Sequence, residues 1–152
     1  MQVDRIIKVR GLIAYHDKLL LVRLKPYKKK LQKDTDFWCL PGGTLEDNES
    51  LMQCIEREMI EETGVPPTVG RLLYVQQFSS DGRQYLEFIF NITNARDYLK
   101  IDLHKTTHGI KEISEIGFID PKSVRVLPDF LAQESSVEIL QSNAPTRVHD
   151  YL

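Results

Sequence analysis

The chain has 152 residues, of which 41% are hydrophobic and 28% are charged, and its net charge is −2. This length is typical of one domain, and the composition excludes a largely disordered or collagen-like chain. The longest apolar runs are only four residues, which excludes a membrane-spanning helix, and the mildly acidic balance does not indicate an extended nucleic-acid surface. We predict a single domain over residues 1–142 and a frayed C-terminal tail over residues 143–152.

The cellular setting is predicted from the N-terminus and the cysteines. The first ten residues alternate charged and apolar side chains without a continuous apolar segment, so we expect no secretory signal. The two cysteines, Cys39 and Cys54, form no disulfide framework and match no metal-binding spacing. We therefore expect reduced thiols in a cytoplasmic protein.

The first third of the chain predicts strands. Residues 6–15 and 18–24 are rich in apolar side chains and are separated by a His-Asp turn, a pattern typical of a β-hairpin. A basic loop that contains three lysines at 28–30 follows, and we expect these lysines to face solvent. Residues 37–40 form a short predicted strand that is stopped by a Pro-Gly-Gly sequence.

The next segment, residues 50–63, predicts the best helix of the chain. Ser50 has the spacing of a capping box with Gln53, and Gly64 stands at the C-cap position before two prolines. Apolar residues recur every four positions, as expected for a buried stripe. They are Leu51, Ile55 and Met59.

The second half of the chain predicts further strands and a terminal helix. Residues 72–79 and 84–93 are predicted strands joined by a Ser-Asp-Gly-Arg turn, and residues 94–111 are polar and predicted as loop. A last strand is predicted over 113–119, and an amphipathic helix over 128–140, with a proline at its start. Strands that precede and follow a central helix in the sequence predict an α/β fold with a mixed sheet between helices.

An acidic cluster lies on the predicted central helix. Residues 46–62 carry seven of the 22 acidic residues and one of the 20 basic ones. At about 100° per residue, Glu58, Glu61 and Glu62 share one helix face, where like charges repel. Carboxylate oxygens suit Mg²⁺ or Mn²⁺, so this face is a candidate metal site. A solvated acidic face is the alternative that spacing alone leaves open.

The residues around this cluster resemble the signature of the Nudix hydrolase family over residues 43–65. The preceding Trp-Cys-Leu-Pro-Gly at 38–42 resembles the usual approach to that signature. This resemblance implies an α/β/α sandwich and the hydrolysis of a diphosphate that links a nucleoside to another group, with Mg²⁺ or Mn²⁺ as cofactor. The matching positions are Gly43, Glu49, Arg57, Glu58, Glu61, Glu62, Gly64 and Val65.

The resemblance also implies roles for these residues. Metal ligands would be Glu58, Glu61 and Glu62 with the carbonyl of Gly42, and Glu58 is a candidate base for the attacking water. The Glu49–Arg57 ion pair would hold the loop on the helix and so support catalysis. Gly43 and Gly64 would have structural roles, at a sharp turn and at the helix end.

A glutamate outside the signature often completes the metal site of this family. Glu112, six residues before Phe118, and Glu115 are the two candidates for a catalytic or ligand role, and both could instead be surface charges. His104 and His108 lie in the polar segment without acidic or cysteine neighbours, so we expect no metal there.

Candidate substrate contacts are three residues on the predicted strands. Arg23 could bind a phosphate through its guanidinium fork, and Phe78 and Arg83 flank the second hairpin, where a base could stack. Two of them have a structural alternative: solvent for Arg23 and the core for Phe78.

The sequence predicts a Mg²⁺-dependent Nudix pyrophosphohydrolase with a small nucleotide substrate. ADP-ribose, a nucleotide sugar, an oxidised nucleoside triphosphate and a dinucleotide polyphosphate all fit. The alternative is an inert Nudix-fold binding or regulatory module, although such modules usually lack some of the signature glutamates. The oligomeric state is open, a homodimer included.

Overall fold

The computed structural model describes residues 2–26, 36–133 and 144–152. Two five-stranded sheets form the centre of the described chain. The first sheet has the strand order β10-β6-β7-β1-β5, and the second has the order β2-β3-β4-β9 with β8 also paired to β3. The strands are β1 (Arg5–Leu12), β2 (Ala14–Tyr15), β3 (Lys18–Leu24), β4 (Trp38–Cys39), β5 (Gly42–Thr44), β6 (Val69–Ser80), β7 (Arg83–Ile92), β8 (Ile113–Ile119), β9 (Val126–Leu127) and β10 (Arg147–Asp150).

The helices are few and short apart from one. They are α1 (Leu51–Thr63), α2 (Gly109–Glu112) and α3 (Phe130–Gln133). Two 3₁₀ helices, Ala95–Tyr98 and Leu103–Lys105, occupy the segment before α2. None of the helices in the described ranges is long and apolar enough to cross a membrane.

Helix α1 begins and ends as the sequence predicts. Ser50 accepts a hydrogen bond from the backbone of Gln53, whose side chain accepts one from the backbone of Ser50, so both halves of the capping box are present. Gly64 ends the helix in the left-handed conformation with φ of 76°. Ile55 and Met59 are fully buried on the apolar stripe, and Glu62 of the acidic face is buried beside them, so the acidic face borders the core and does not point into solvent.

Strand β1 separates the helix side of the first sheet from the side that forms a cleft. It pairs in parallel with β7 and antiparallel with β5. Because side chains alternate along a strand, Val9 packs in one core cluster with Met59 of α1, whereas its neighbours Lys8 and Arg10 project to the opposite face.

The core has two main parts, and β3 contributes to both. Leu20 belongs to the cluster under α1, and Leu19 and Leu21 belong to the cluster that contains Tyr74 and Phe130. A strand buried on both faces explains the continuous apolar run of this segment. It also places the end of β3 near the loop that leads to α1.

Some predicted elements differ from the observed ones. The predicted strand over 6–15 is interrupted at Ile13, so that β1 joins the first sheet and only β2 forms the predicted hairpin with β3. Ile13 accepts a hydrogen bond from Leu20 at the crossing point. The polar segment 94–111, predicted as loop, contains the two 3₁₀ helices and most of α2. Residues 41–43, which were predicted to end a strand, include the first two residues of β5.

The C-terminal tail was the least accurate prediction. Residues 147–150, predicted to be frayed, form β10, which pairs in parallel with β6. His149 stacks on Phe130 with ring centroids 4.1 Å apart, and Thr146 donates a hydrogen bond to the carbonyl of Leu72. These contacts stabilise the edge strand β10 on the first sheet. The division of the chain at residue 142 stays a prediction.

Two predicted elements lie wholly or partly outside the described residues. The three lysines at 28–30 lie outside them, and so does most of the predicted helix over 128–140. The described part of that predicted helix contains α3. The remaining strands agree with the prediction within a few residues, and β8 coincides with the predicted range of 113–119.

Candidate active site

A cavity of about 340 Å³ lies between β1, β5 and α1, and its lining includes four glutamates, Glu46, Glu58, Glu62 and Glu112. The carboxylate of Glu58 lies directly against the backbone of Gly43, so closely that a β-carbon at Gly43 would collide with it. Gly42 has φ of 143°, and a β-carbon there would collide with the carbonyl of Val9. The two glycines are therefore required for the loop to approach the helix.

Glu62 is the most buried carboxylate of this cavity, with only 5% of its surface exposed. Gly42 donates its backbone N–H to Oε2 of Glu62 at 3.1 Å, which ties the glycine loop to the helix. Burial, with the neighbouring charge of Glu58, raises the pKa of Glu62 to about 8. Burial also raises the pKa of Glu58, although Arg57 opposes that shift. Burial and mutual repulsion therefore disfavour the charged forms of both carboxylates, and a further cation beside them would favour those forms.

Glu112 reaches the same cavity from a different part of the chain. It ends α2, and its backbone carbonyl accepts a hydrogen bond from Lys25 N at 2.8 Å, directly after β3. The side chain is half-buried, and its charge raises the pKa values of Glu58 and Glu62. Glu115, the competing candidate, is exposed and pairs with Arg23 at 3.7 Å instead of lining the cavity.

Arg57 connects the loop before α1 to the acidic face of the helix. Its Nε and Nη2 donate to both carboxylate oxygens of Glu49 at 2.6 and 2.9 Å, and its Nη1 donates to Glu58 at 2.9 Å and Glu61 at 3.1 Å. Hydrogen bonds from Arg57 lower the pKa of Glu49 to about 2. The predicted Glu49–Arg57 ion pair is therefore present, and two hydrogen bonds join the two side chains. Arg57 also orients the carboxylate of Glu58.

Glu61 shares the helix face and has a second partner, His108, in addition to Arg57. His108 Nδ1 lies 2.8 Å from Oε2 of Glu61, and the backbone N–H of His108 donates to the Glu61 carbonyl at 3.0 Å. The sequence prediction that His108 has no acidic partner is wrong, because folding brings an acid 47 positions away onto it. This contact docks α2, and with it Glu112, on the end of α1.

The donor set is suited to a hard divalent cation. Carboxylate oxygens of Glu58, Glu62 and Glu112 line one cavity, and a cation there would favour the charged forms of Glu58 and Glu62, whose pKa values burial and mutual repulsion raise. Within residues 2–26, 36–133 and 144–152, no three acidic, histidine or cysteine side chains have already converged to the distances of a metal site. Mutual repulsion, and the hold of Arg57 on Glu58, account for that separation.

A second, larger cavity of about 990 Å³ adjoins the carboxylate cavity, and we call it the cleft. Lys8, Arg10, Leu24 and Cys39 belong to the walls of both cavities. The polar floor of the cleft is preorganised: Arg10 pairs with Glu87 at 3.2 Å and also donates to the carbonyl of Leu40 at 3.0 Å. The second oxygen of Glu87 accepts a hydrogen bond from Gln76 at 2.7 Å.

Comparison with known proteins identifies the fold family. The profile of the NUDIX domain matches residues 6–142. The chain belongs to the Nudix family. The solution structure of the E. coli ORF135 protein superposes on this Nudix chain with a TM-score of 0.67 at 21% identity, over 95% of this chain and 96% of that one. The predicted α/β/α Nudix fold is thereby confirmed.

Curated Nudix relatives match only part of their own length. A protein named ADP-ribose pyrophosphatase from Methanocaldococcus jannaschii is 33% identical over 95 residues, which are 61% of this chain and 51% of that protein. Mouse diphosphoinositol polyphosphate phosphohydrolase 3-alpha is 35% identical over 77 residues, 51% of this chain and 42% of its own. The chain therefore spans about half the length of the curated relatives it matches.

The Nudix fold separates the three predicted substrate contacts. Phe78 and Arg83 line the cleft, next to Tyr85, whereas Arg23 does not line either cavity. Arg23 is paired with Asp36 and Glu115, so its charge is already matched. The proposed roles of the three stay predictions.

Sequence reasoning missed two basic residues of β1 that line the carboxylate cavity of this Nudix domain. Lys8 and Arg10 stand on β1, 50 positions before the helix acids, and no spacing rule connects them. The available signal was the alternation of charge with apolar residues in β1, in which Lys8 and Arg10 flank the buried Val9. Charges that interrupt an otherwise buried strand often mark a functional surface.

Proposed function

We propose that this Nudix domain is a divalent-cation-dependent pyrophosphohydrolase that cleaves a diphosphate linked to a nucleoside. The observation that carries the proposal is the cavity that Glu58, Glu62 and Glu112 line together with Lys8. The names of the curated relatives, which both describe hydrolysis of a phosphorylated compound, support the same reaction class.

We propose Glu58, Glu62 and the carbonyl of Gly42 as the residues that hold Mg²⁺, with Glu61 at the edge of the site. Mn²⁺ has the same oxygen preference and is expected to substitute. When bound, such a cation neutralises charge that develops on the phosphoryl oxygens during attack by water. Arg57 is a positioning residue in this scheme, since its contacts are to Glu49, Glu58 and Glu61.

The proton of the attacking water has two candidate acceptors. Both Glu58 and Glu112 line the cavity, and Arg57 holds Glu58 through a hydrogen bond, so we propose Glu112 as the acceptor and Glu58 as a residue that holds the cation. The water oxygen forms a bond to phosphorus, the bridging P–O bond breaks, and Glu112 takes the proton. The leaving group departs as a phosphate ester.

The proposal is tested with ADP-ribose, nucleotide sugars, nucleoside triphosphates and dinucleotide polyphosphates, with release of nucleoside monophosphate or phosphate as the readout. We expect turnover with Mg²⁺ or Mn²⁺ that stops in excess chelator and returns when the ion is added again. Turnover that persists in chelator contradicts the metal dependence. An inert protein that still binds these compounds is the outcome that favours a binding module.

A matched pair of variants separates the proposed site from the helix that carries it. Glu62→Gln keeps the size of a buried ligand and removes its charge, so we expect turnover to fall by about 100-fold or more. Glu56→Gln makes the same change at an exposed position of α1 and is expected to leave turnover unchanged. Equal rates for the two variants would overturn the assignment.

We also propose a cytoplasmic location, which the cysteines support. Cys39 and Cys54 are both buried and neither forms a disulfide, and burial raises the pKa of Cys54 to about 12. Buried thiols of this kind are unreactive and are typical of a reducing compartment. Fractionation of cells that express the tagged chain is the measurement that checks the location.

A further inference from the structure

The side chain of Glu112 lines the carboxylate cavity from the end of a very short helix. Helix α2 has only four residues, and Glu112 is the last of them. One helical turn is unstable in isolation, because ordering its backbone costs more conformational entropy than its first hydrogen bond offsets. The place of Glu112 therefore depends on contacts that other elements make with α2.

The regular pairing of β3 with β8 is interrupted just before it reaches Glu112. The register shifts between Arg23 and Leu24, so that Ser114 is an extra residue of β8. The hydroxyl of Ser114 donates a hydrogen bond to the Arg23 carbonyl at 2.9 Å. A bulge of this kind bends a strand and changes the direction of its side chains. The contacts beyond the bulge therefore decide where Glu112 lies.

Lys25, the first residue after β3, makes two of these contacts. Its backbone N–H donates to the carbonyl of Glu112 at 2.8 Å, and its ammonium donates to the carbonyl of Ile110 at 2.6 Å. The last carbonyls of a helix have no partner within the helix, and a lysine side chain is one of the groups that bind them. Because the ammonium is charged, its hydrogen bond is stronger than one between neutral groups.

The start of α2 is attached to α1 and to the segment before it. Gly109 lies so close to the carbonyl of Glu62 that a β-carbon would collide with it. The buried Thr106 donates its hydroxyl to the Leu103 carbonyl at 2.6 Å and accepts the backbone N–H of Ile110 at 2.8 Å. Helix α2 is therefore fixed at its start by α1 and at its end by the residue that follows β3.

The side chain of Lys25 is directed to α2 and not to the carboxylates. It is half-buried, and Lys25 is not among the described residues that line the two cavities, whereas its neighbour Leu24 lines both. A cation in this position does not contact a substrate in either cavity. Any effect of Lys25 on the reaction must therefore pass through α2.

We propose that Lys25 is a positioning residue that holds Glu112 at the carboxylate cavity by binding the carbonyl end of α2. The inference rests on the proposed function, in which Glu112 accepts the proton of the attacking water. A proton acceptor must lie within hydrogen-bond reach of that water, and a displacement of about 1 Å can lower the rate by about 100-fold. Lys25 therefore affects the chemical step and not the binding of the substrate.

Steady-state kinetics of the full chain with Mg²⁺ tests this role. Lys25→Met removes the ammonium and keeps an unbranched side chain, so we expect kcat to fall by about tenfold and KM to change by less than about twofold. Lys25→Arg keeps a charged donor and should recover most of kcat. Lys111→Met makes the same change as Lys25→Met at an exposed position of α2 and should alter neither constant. An unchanged kcat in Lys25→Met, or a loss that appears only in KM, would overturn the proposal.

A second background shows whether Lys25 acts through Glu112. In Glu112→Gln the proposed proton acceptor is already absent, so adding Lys25→Met should lower kcat by less than about twofold more. A further tenfold loss in that background would mean that Lys25 supports catalysis by another route, and the proposal would fail.

Hydrogen exchange measured by NMR gives a result that does not depend on turnover. The amides of Lys111 and Glu112 both donate to the carbonyl of His108 at 3.0 Å, so their exchange reports the opening of α2. We expect Lys25→Met to lower the protection factors of both amides by about tenfold, and Lys111→Met to leave that of Glu112 unchanged. Equal protection in Lys25→Met and the wild type would overturn the proposal. If the wild type hydrolyses no diphosphate, the proposed function fails, whereas a loss of protection in Lys25→Met alone still shows that Lys25 holds this segment in place.

Discussion

Arg57 illustrates how one residue can serve the loop and the acidic face of α1 together. It is 24% exposed, Glu49 is 11% exposed, and three further acceptors surround the guanidinium: Thr44, Glu58 and Glu61. Hydrogen bonds to Glu49, together with the charge of Glu58, raise the pKa of Arg57 despite its partial burial. Removal of this cation would leave several carboxylates close together without compensation.

Arg57→Ala is therefore expected to lower the free energy of unfolding by about 2 kcal/mol. Arg57→Lys should lose less, because it keeps the charge but not the two-point geometry. Chemical denaturation at pH 7 measures both. Equal stability of the wild type and the alanine variant would show that the hydrogen bonds of Arg57 make no net contribution to the free energy of unfolding.

The same pair predicts a dependence on pH. The pKa of Glu49 in the folded chain is about 2, below its ordinary value of 4.5, so the stability gained from the pair is complete above 4.5 and is lost as the pH falls towards 2. The stability difference between the wild type and Arg57→Ala should shrink over that interval. A difference that stays constant between pH 5 and pH 2 would contradict the assignment.

Glu112 and Glu115 provide a comparison within three residues of the chain. Glu112→Gln should lower kcat by about 100-fold and change KM little, because the group acts on water and not on the base. Glu115→Gln should be close to neutral, since its partner is Arg23 and it is exposed. Steady-state kinetics with a substrate that the chain hydrolyses measures both variants. If Glu115→Gln lowers kcat and Glu112→Gln does not, Glu115 is the base.

At the scale of residues, the helix pattern predicted the acids of α1, and the family resemblance added Glu112, but Lys8 and the contact of His108 with Glu61 were missed. Glu58, Glu61 and Glu62 share a helix face because the helix period alone determines it. Lys8 enters the site only through the pairing of β1 with β5 and β7, which no local pattern encodes. His108 meets Glu61 for the same reason.

At the scale of elements, helix α1 has the clearest local signals. Its capping box, its buried stripe and its C-terminal glycine agree, and its observed bounds follow the prediction. The strand over 6–15 was predicted less well, since β1 and β2 belong to different sheets although the apolar pattern continues across Ile13. The period of a strand shows which faces are buried, but it does not show which partner covers them.

The cap of α1 gives a prediction at this scale. Ser50→Ala should lower the free energy of unfolding by about 1 kcal/mol, because the backbone N–H of Gln53 loses its acceptor. Ser50→Asp keeps an acceptor and is the control, with stability near that of the wild type. Urea denaturation measures the three proteins. Equal losses for alanine and aspartate would mean that the cap contributes nothing.

At the scale of the whole molecule, long-range pairing builds the site. Parallel pairing of β1 with β7 and of β10 with β6 extends the first sheet across the chain and creates the floor and rim of the cleft. The sequence predicted a mixed sheet but not these partners, because parallel strands have no turn that marks them. The edge strand β10 was predicted as frayed since its four residues carry a weak pattern, and its stability comes from contacts with β6 and Phe130.

The stability of the whole molecule should depend on the bound cation, because the site concentrates negative charge that folding alone does not compensate. Glu62 is 5% exposed and lies near Glu58 and Glu112. An ion that binds only the folded chain at about 100 times its Kd adds about 2.7 kcal/mol of stability. We therefore expect Mg²⁺ to raise Tm by roughly 5–10 °C in a chain of this size.

Glu62→Gln should have opposite effects on stability and on this response. Gln retains an oxygen that accepts the hydrogen bond from Gly42 and carries no charge, so Tm without metal should rise, whereas the shift caused by Mg²⁺ should largely disappear. Glu56→Gln should change neither quantity. Differential scanning calorimetry with chelator and with Mg²⁺ measures all three proteins. A Glu62→Gln variant that is less stable without metal, and that keeps the full Mg²⁺ shift, would show that Glu62 has a structural role alone.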